Sequence, residues 1–129
     1  MGQRFLIDTN VVIDVMGNIM PENIKQKVLQ MPPIVSAVTY IETLGWHQAT
    51  EKQLLVLQKF MNAATILPID QSVIETTVAL RQRKRIGLGD AIIAATTIVH
   101  NMVLVTRNVS DFKSISNLVV FNPWEVEDK

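Results

Sequence analysis

The sequence contains no cysteine. It can therefore form no disulfide framework, no thiolate nucleophile and no cysteine-ligated zinc site. Aromatic residues make up only 5% of the chain, which argues against the stacking platforms that single-strand binders use. The 12 basic and 12 acidic residues cancel, which argues against a protein that grips nucleic acid by bulk charge alone. A local basic patch beside an acidic cleft stays compatible with this balance.

Long hydrophobic runs are also absent. The first apolar run ends at Asp8, after Phe5, Leu6 and Ile7, and is too short for a signal-peptide core. No uninterrupted apolar stretch approaches the roughly 20 residues that a membrane span requires. We therefore expect a soluble, cytoplasmic protein with no membrane partner.

Apolar residues suitable for a packed core are plentiful, at 48% of the 129 positions. No internal repeat or interdomain linker is evident, so we predict one domain over residues 1–129. Five short apolar runs predict buried strands, separated by helical stretches. This order is typical of an α/β domain with a mainly parallel central sheet of four to five strands. The strands are predicted over 4–7, 34–37, 65–69, 102–106 and 118–121.

Acidic side chains lie where ligands bind in such sheets, outside the carboxyl ends of the strands. Asp8 follows the first strand directly, and either Asp8 or Thr9 caps the helix that comes next. Glu42 lies in a helix predicted to begin at Thr39, shortly after the second strand. Asp90 leads an apolar helix predicted from residue 91, after a Gly-Leu-Gly break, and Asp111 follows the fourth strand. The topology predicts that these acids meet at one edge.

A cluster of carboxylates is unfavourable alone, because like charges and burial both oppose ionisation. A divalent cation relieves this cost. Ligands that are all oxygen, with no cysteine and no suitably placed histidine, favour Mg²⁺ or Mn²⁺ over zinc. Such a metal can lower the pKa of a bound water and offset charge on a phosphodiester. The pattern indicates hydrolytic phosphodiester cleavage.

Each acid also has a purely structural interpretation. In this interpretation Asp8 does no more than cap a helix, and Asp90 is simply a carboxylate that the helix dipole favours at a helix start. Glu42 can be an ordinary solvated helix residue, and Asp111 can cap a short turn. Position alone leaves both interpretations open.

Four motifs in order, with a closing segment, resemble the PIN-domain family, and especially the VapC-type toxins of bacterial toxin–antitoxin pairs. The resemblance covers essentially the whole chain. The matching segments are Leu6-Ile7-Asp8-Thr9-Asn10-Val11-Val12-Ile13-Asp14, 36–45 around Glu42, 88–96 around Asp90, 105–112 from Val105 to Phe112, and 121–124.

This resemblance implies a PIN-like three-layer α/β/α fold and a metal-dependent endoribonuclease. Asp8, Glu42 and Asp90 would be the metal-site acids, with Mg²⁺ or Mn²⁺ as cofactor. Asn10 and Thr106 match positions that support the acids by hydrogen bonding. RNA would be the substrate, the chain would form a homodimer, and a cognate antitoxin protein would block the site.

The fourth acidic position departs from the family pattern. Many relatives carry aspartate directly after Thr-Arg, where this chain has Asn108. An amide oxygen can coordinate a metal but adds no negative charge. Asp111 could compensate as the fourth catalytic acid, or a second metal could bind weakly or only with RNA.

Basic residues are concentrated at the end of one predicted helix. The cluster fits either a solvated carboxyl-terminal turn or a phosphate-contacting surface near Asp90. Arg107 can contact RNA or an antitoxin, or can have only a surface role. The cluster consists of Arg81, Arg83, Lys84 and Arg85.

Two other functions are compatible with parts of the pattern. One is a non-catalytic PIN-like module kept for protein binding, which Asn108 favours slightly. The other is an aspartate-nucleophile phosphatase built on Asp8. That chemistry requires a second acid two residues later, where this chain has Asn10, and a lysine late in the sheet that it lacks.

Overall fold

Five short strands form the centre of the protein in a computed structural model that describes residues 2–125. β1 pairs with β4, and β4 pairs with β5, while β2 pairs with β3; all three pairings are parallel. β1 also lies beside β2, although no hydrogen-bonded ladder joins them, so the order is β3-β2-β1-β4-β5. The strands are β1 Phe5–Ile7, β2 Ile34–Ser36, β3 Thr65–Leu67, β4 Val103–Val105 and β5 Val119–Phe121.

Within residues 2–125, seven α-helices connect the strands, and side chains cap several of their amino termini. Asp8 rather than Thr9 caps α1, and Thr50 caps α4 in a reciprocal capping box with Gln53. A 3-10 turn over Pro123–Glu125 follows the last strand. The helices are α1 Thr9–Met16, α2 Glu22–Leu29, α3 Ala37–Leu44, α4 Glu51–Ala63, α5 Gln71–Arg83, α6 Leu88–Val99 and α7 Val109–Phe112.

Among the described residues, two apolar cores lie on opposite faces of the strands. Successive side chains of a strand point to opposite faces, so Ile7 and Val105 enter one core while Leu6 and Leu104 enter the other. Helices cover both faces, which confirms the predicted parallel α/β architecture with three layers. The division into hydrogen-bonded groups of three and two strands is a detail that the sequence pattern does not contain.

Two helices begin earlier than predicted. α3 begins at Ala37 instead of Thr39, because the Ser36 side chain accepts a hydrogen bond from the backbone N–H of Val38 at 3.0 Å. α6 begins at Leu88 instead of residue 91, so the Gly-Leu-Gly segment starts this helix as well as separating it from α5. None of the helices within residues 2–125 combines the length and apolarity that crossing a membrane requires. Residues 1 and 126–129 of the predicted domain lie outside the described part.

Candidate active site

Asp8 lies where β1 ends and is only 3% exposed. Ile7 and Val105 are register partners, which places Asp8 beside Thr106 at the carboxyl edge. One carboxylate oxygen of Asp8 accepts a hydrogen bond from the backbone N–H of Thr9 at 2.7 Å. The other accepts from the Thr106 hydroxyl at 2.8 Å. The carboxylate of Asp8 is therefore fixed by groups from both strand ends.

Two hydroxyl groups, those of Thr39 and Thr9, form a chain of hydrogen bonds that ends at the Glu42 carboxylate. The Thr9 hydroxyl donates to Oε1 of Glu42 at 2.6 Å. Thr9 and Thr39 are also joined through their hydroxyl oxygens at 2.9 Å. Because a hydroxyl has a single proton to donate, Thr39 must donate to Thr9 while Thr9 donates to Glu42. Thr39 is fully buried, so the carboxylate of exposed Glu42 is oriented by a rigid pair of threonines.

The start of α6 approaches Glu42 closely at Gly89. A Cβ atom added there would lie 2.9 Å from Oε2 of Glu42, well inside ordinary contact distance. Asp90 follows in the first turn of α6 and is half-buried. The glycine therefore lets the helix that carries Asp90 pack against the Glu42 carboxylate.

Electrostatic repulsion links the four predicted acids. Burial raises the pKa of Asp8 to about 6, and the charges of Asp90 and Glu42 add to this rise, while the hydrogen bonds from Thr106 and Thr9 oppose it. Burial is also the largest cause of a raised pKa at Asp90, and the charges of Asp111 and Glu42 raise that pKa further. Acids from four separate segments thus act on one another.

The donor chemistry of these residues fits a hard divalent cation. The nearby ligands are carboxylate and hydroxyl oxygens, which Mg²⁺ and Mn²⁺ prefer. A cation would also remove the penalty that burial and repulsion impose on ionised Asp8 and Asp90. Within residues 2–125, no three His, Asp or Glu side chains converge closely enough to hold an ion in the conformation described. The acids are close enough for their charges to interact, but the described conformation does not bring three of them within reach of one ion.

The sequence model of one family matches residues 5–118, and its description is PIN domain. The chain belongs to the PIN domain family. This match covers most of the chain and confirms the resemblance stated from the motifs. It agrees with the parallel α/β architecture described above.

Similar proteins include a curated relative and several solved structures. A protein named Ribonuclease VapC1 from Haemophilus influenzae is 28% identical over 126 residues, covering 88% of this chain and 93% of the relative. A toxin–antitoxin complex from Klebsiella pneumoniae contains a chain 33% identical, with a TM-score of 0.74, covering 94% of this chain and 98% of that one. A chain of the DNA-bound VapBC from Salmonella typhimurium is 24% identical with a TM-score of 0.81 and covers 95% of this chain and 99% of that one. The last of these likenesses concerns the fold alone.

Arg107 directly follows Thr106, and its guanidinium group forms an ion pair with a buried acid. Its Nε lies 3.1 Å from Oδ2 of Asp14 in α1, and Asp14 is only 4% exposed. The Arg107 side chain itself is 46% exposed. This ion pair ties the loop after β4 to α1 in the PIN domain. The predicted contact of Arg107 with RNA or an antitoxin stays a prediction, now with part of the guanidinium engaged by Asp14.

The other predicted residues differ in how closely they join the site. Asn108 uses its backbone N–H, which donates to the Thr106 hydroxyl at 3.0 Å. Asp111 is an exposed residue of α7, close enough to Asp90 to raise its pKa. Asn10 is half-buried in α1, and its side chain forms no hydrogen bond within residues 2–125. Arg83 is the last residue of α5, and Lys84 and Arg85 follow it in the segment that leads to α6.

Four contributors to the site were missed by sequence reasoning. The sequence indicates Thr9 only as a possible cap, although it lies directly beside Asp8. Thr39 is three residues before Glu42, a spacing that places both on one helix face. Gly89 interrupts a helical pattern, which often marks a close approach. Asp14 lies among buried valines, where an acid requires a partner.

We expect Gly89→Ala to lower RNA cleavage about tenfold or more while leaving the protein as stable or more stable. The added methyl group would displace the Glu42 carboxylate, a positioning change of the kind that costs about 10- to 100-fold in metalloenzymes. Alanine in a helix is favoured over glycine by about 0.5–1 kcal/mol. Thermal unfolding and cleavage rates measured together check this. Gly87→Ala, where a Cβ meets nothing within 4 Å, is the matched control.

We expect Arg107→Gln to destabilise the fold by about 1 kcal/mol, the lower end of the usual cost of about 1–3 kcal/mol, because it leaves the buried Asp14 carboxylate without the cation that pairs with it. The lower end applies since Arg107 is half exposed to screening water. Chemical denaturation of the wild type, both single variants and Asp14→Asn/Arg107→Gln measures the coupling. Strictly additive effects would show that the pair contributes nothing.

Proposed function

We propose that this PIN domain is a divalent-metal-dependent endoribonuclease and the toxin of a type II toxin–antitoxin pair. The observation that carries the proposal is the buried Asp8 carboxylate beside Asp90 and Glu42, held in place although burial and repulsion raise its pKa. Perturbed carboxylates of this kind mark functional sites. The likeness to a protein named Ribonuclease VapC1 and to a toxin–antitoxin complex chain supports the same function.

In this proposal Asp8, Glu42 and Asp90 hold Mg²⁺ or Mn²⁺, and Asp111 or Asn108 completes the site. When bound, the cation lowers the pKa of the attacking water and offsets charge on the phosphodiester. Thr106 and the Thr9 backbone hold the Asp8 carboxylate in one orientation.

The Thr39–Thr9 hydroxyl chain holds the Glu42 carboxylate where it faces α6. Both sets of hydrogen bonds are made before substrate arrives, which is the preorganisation that electrostatic catalysis requires. The proposal also includes an antitoxin protein as partner, which the likeness to a chain of a toxin–antitoxin complex supports, together with a homodimer and a cytoplasmic location.

Incubation of the purified protein with total cellular RNA tests the proposed function. We expect discrete products with Mn²⁺ or Mg²⁺ and none with EDTA, because the chemistry depends on the cation. The preparation is first shown by mass spectrometry to be free of a bound partner protein. Absence of cleavage with every metal would contradict the proposal and favour the non-catalytic protein-binding module.

A further inference from the structure

A donor-rich pocket lies between the end of α5, the end of α6 and the segment after α7. Its volume is about 450 Å³. Apolar side chains that include Leu80, Ile98 and Ile115 line part of it. No carboxylate is among its lining residues. Its polar lining consists of Thr76, Arg83, Lys84, Ser114, Ser116 and Asn117.

The hydrogen bond between Lys84 and Ser114 leaves other donors of both groups free. The Lys84 ammonium donates to the Ser114 hydroxyl across the pocket. An ammonium has three N–H donors, so two stay available, and a hydroxyl that accepts still has its own proton to donate. Together with the Arg83 guanidinium, these groups offer several donors and a positive charge to one ligand. An anion with more than one oxygen atom is the ligand that such a set accepts.

The cations around this pocket have no carboxylate partners in the part of the chain that the structure describes. Arg81, in the last turn of α5, donates to the carbonyl of Ile86 in the segment that follows, at 3.3 Å. Lys84 behaves differently, because it is half-buried and reaches a residue 30 positions away instead of the helix-end carbonyls. Its position is therefore set by the pocket and not by the helix dipole.

The pocket is connected to the acidic site by two short segments. Ser114 comes three residues after Asp111, which limits their separation to about 10 Å along the chain. Lys84 precedes Asp90 by six residues, at the turn between α5 and α6. Asp111 and Asp90 are themselves close enough to interact electrostatically. These separations bring the Ser114 and Lys84 side of the pocket within reach of a polynucleotide bound at the acids.

We propose that the pocket binds a backbone phosphate of the RNA near the cleaved bond, with Lys84, Arg83 and Ser114 as its donors. This inference rests on the proposed ribonuclease function and adds where the substrate strand runs. Phosphate contacts fix the register of a nucleic acid without reading its sequence. The pocket would thus hold the strand while the acids act on it.

Binding of a short fluorescein-labelled single-stranded RNA of mixed sequence, measured by anisotropy, tests the pocket. All variants carry Asp8→Asn, so that binding is read without cleavage. Adding Lys84→Ala should weaken binding about tenfold, the size of one charge-assisted hydrogen bond, and lower the slope of log affinity against log salt by about 0.7–1. Ser114→Ala, which removes only the hydroxyl, should weaken binding less. Lys59→Ala, an exposed lysine on α4, is the control.

Equal affinity and equal salt slope for the Lys84→Ala and Lys59→Ala proteins would overturn the pocket proposal. Weaker binding by the Lys84→Ala protein supports it even if the wild type cleaves no RNA, in which case only the proposed function fails. Far-ultraviolet circular dichroism of each variant confirms that it is folded.

Discussion

Replacing Asp8 or Asp90 by asparagine is expected to reduce RNA cleavage by more than about a hundredfold, with the fold intact. Groups that only support metal ligands already contribute about 10- to 100-fold, so direct ligands should contribute more. Asparagine keeps the shape of aspartate and one acceptor oxygen, so the cap of α1 can persist. Initial cleavage rates at saturating Mn²⁺, with circular dichroism of the same samples, measure this.

Asp70→Asn is the matched control for these variants. Asp70 also caps a helix, accepting from the backbone N–H of Val73 at 3.1 Å, but it is exposed and caps α5. We expect it to cleave RNA at the wild-type rate. Full activity of the Asp8→Asn protein would remove Asp8 from the proposed chemistry.

In EDTA, the wild type should lose about 3 kcal/mol of unfolding free energy relative to Asp8→Asn as the pH rises from about 4 to about 7. Folding raises the pKa of Asp8 from 3.8 to about 6, and each unit corresponds to about 1.4 kcal/mol. Below pH 3.8 the carboxyl is protonated in both folded and unfolded chains, so it imposes no penalty. Between the two values the unfolded chain ionises first, and the penalty on the folded state grows until about pH 6.

Denaturant unfolding of both proteins across this pH range measures the difference. The raised pKa of Asp90 acts in the same direction, and the comparison with Asp8→Asn cancels the part of its contribution that does not depend on Asp8. A difference that does not change with pH would show that the Asp8 carboxylate carries no penalty from burial. The Asp70→Asn protein should follow the wild type.

Much of the fold follows from local patterns in the sequence. The short apolar runs predict the strands, because a buried parallel strand needs apolar side chains on both faces, as Leu6 and Ile7 illustrate. Asp8 is predictable as a site residue because strand ends of a parallel sheet meet at one edge. The early start of α6 was missed because glycine is a poor helix former, although Gly89 is tolerated there to make room for Glu42.

The partners of the site residues are less predictable, because they join positions far apart in the chain. Thr106 and Asp8 are 98 positions apart, and Lys84 and Ser114 are 30 apart. Such pairs depend on how helices and loops pack after the sheet forms, and no local periodicity encodes them. The ion pair that engages Arg107 is of the same kind.

Calorimetric titration of Mn²⁺ into the wild type, Asp8→Asn and Asp70→Asn tests the central claim most directly. The account predicts saturable binding by the wild type and Asp70→Asn, and binding at least about tenfold weaker by Asp8→Asn. Equal affinity of the wild type and Asp8→Asn for Mn²⁺ would contradict it.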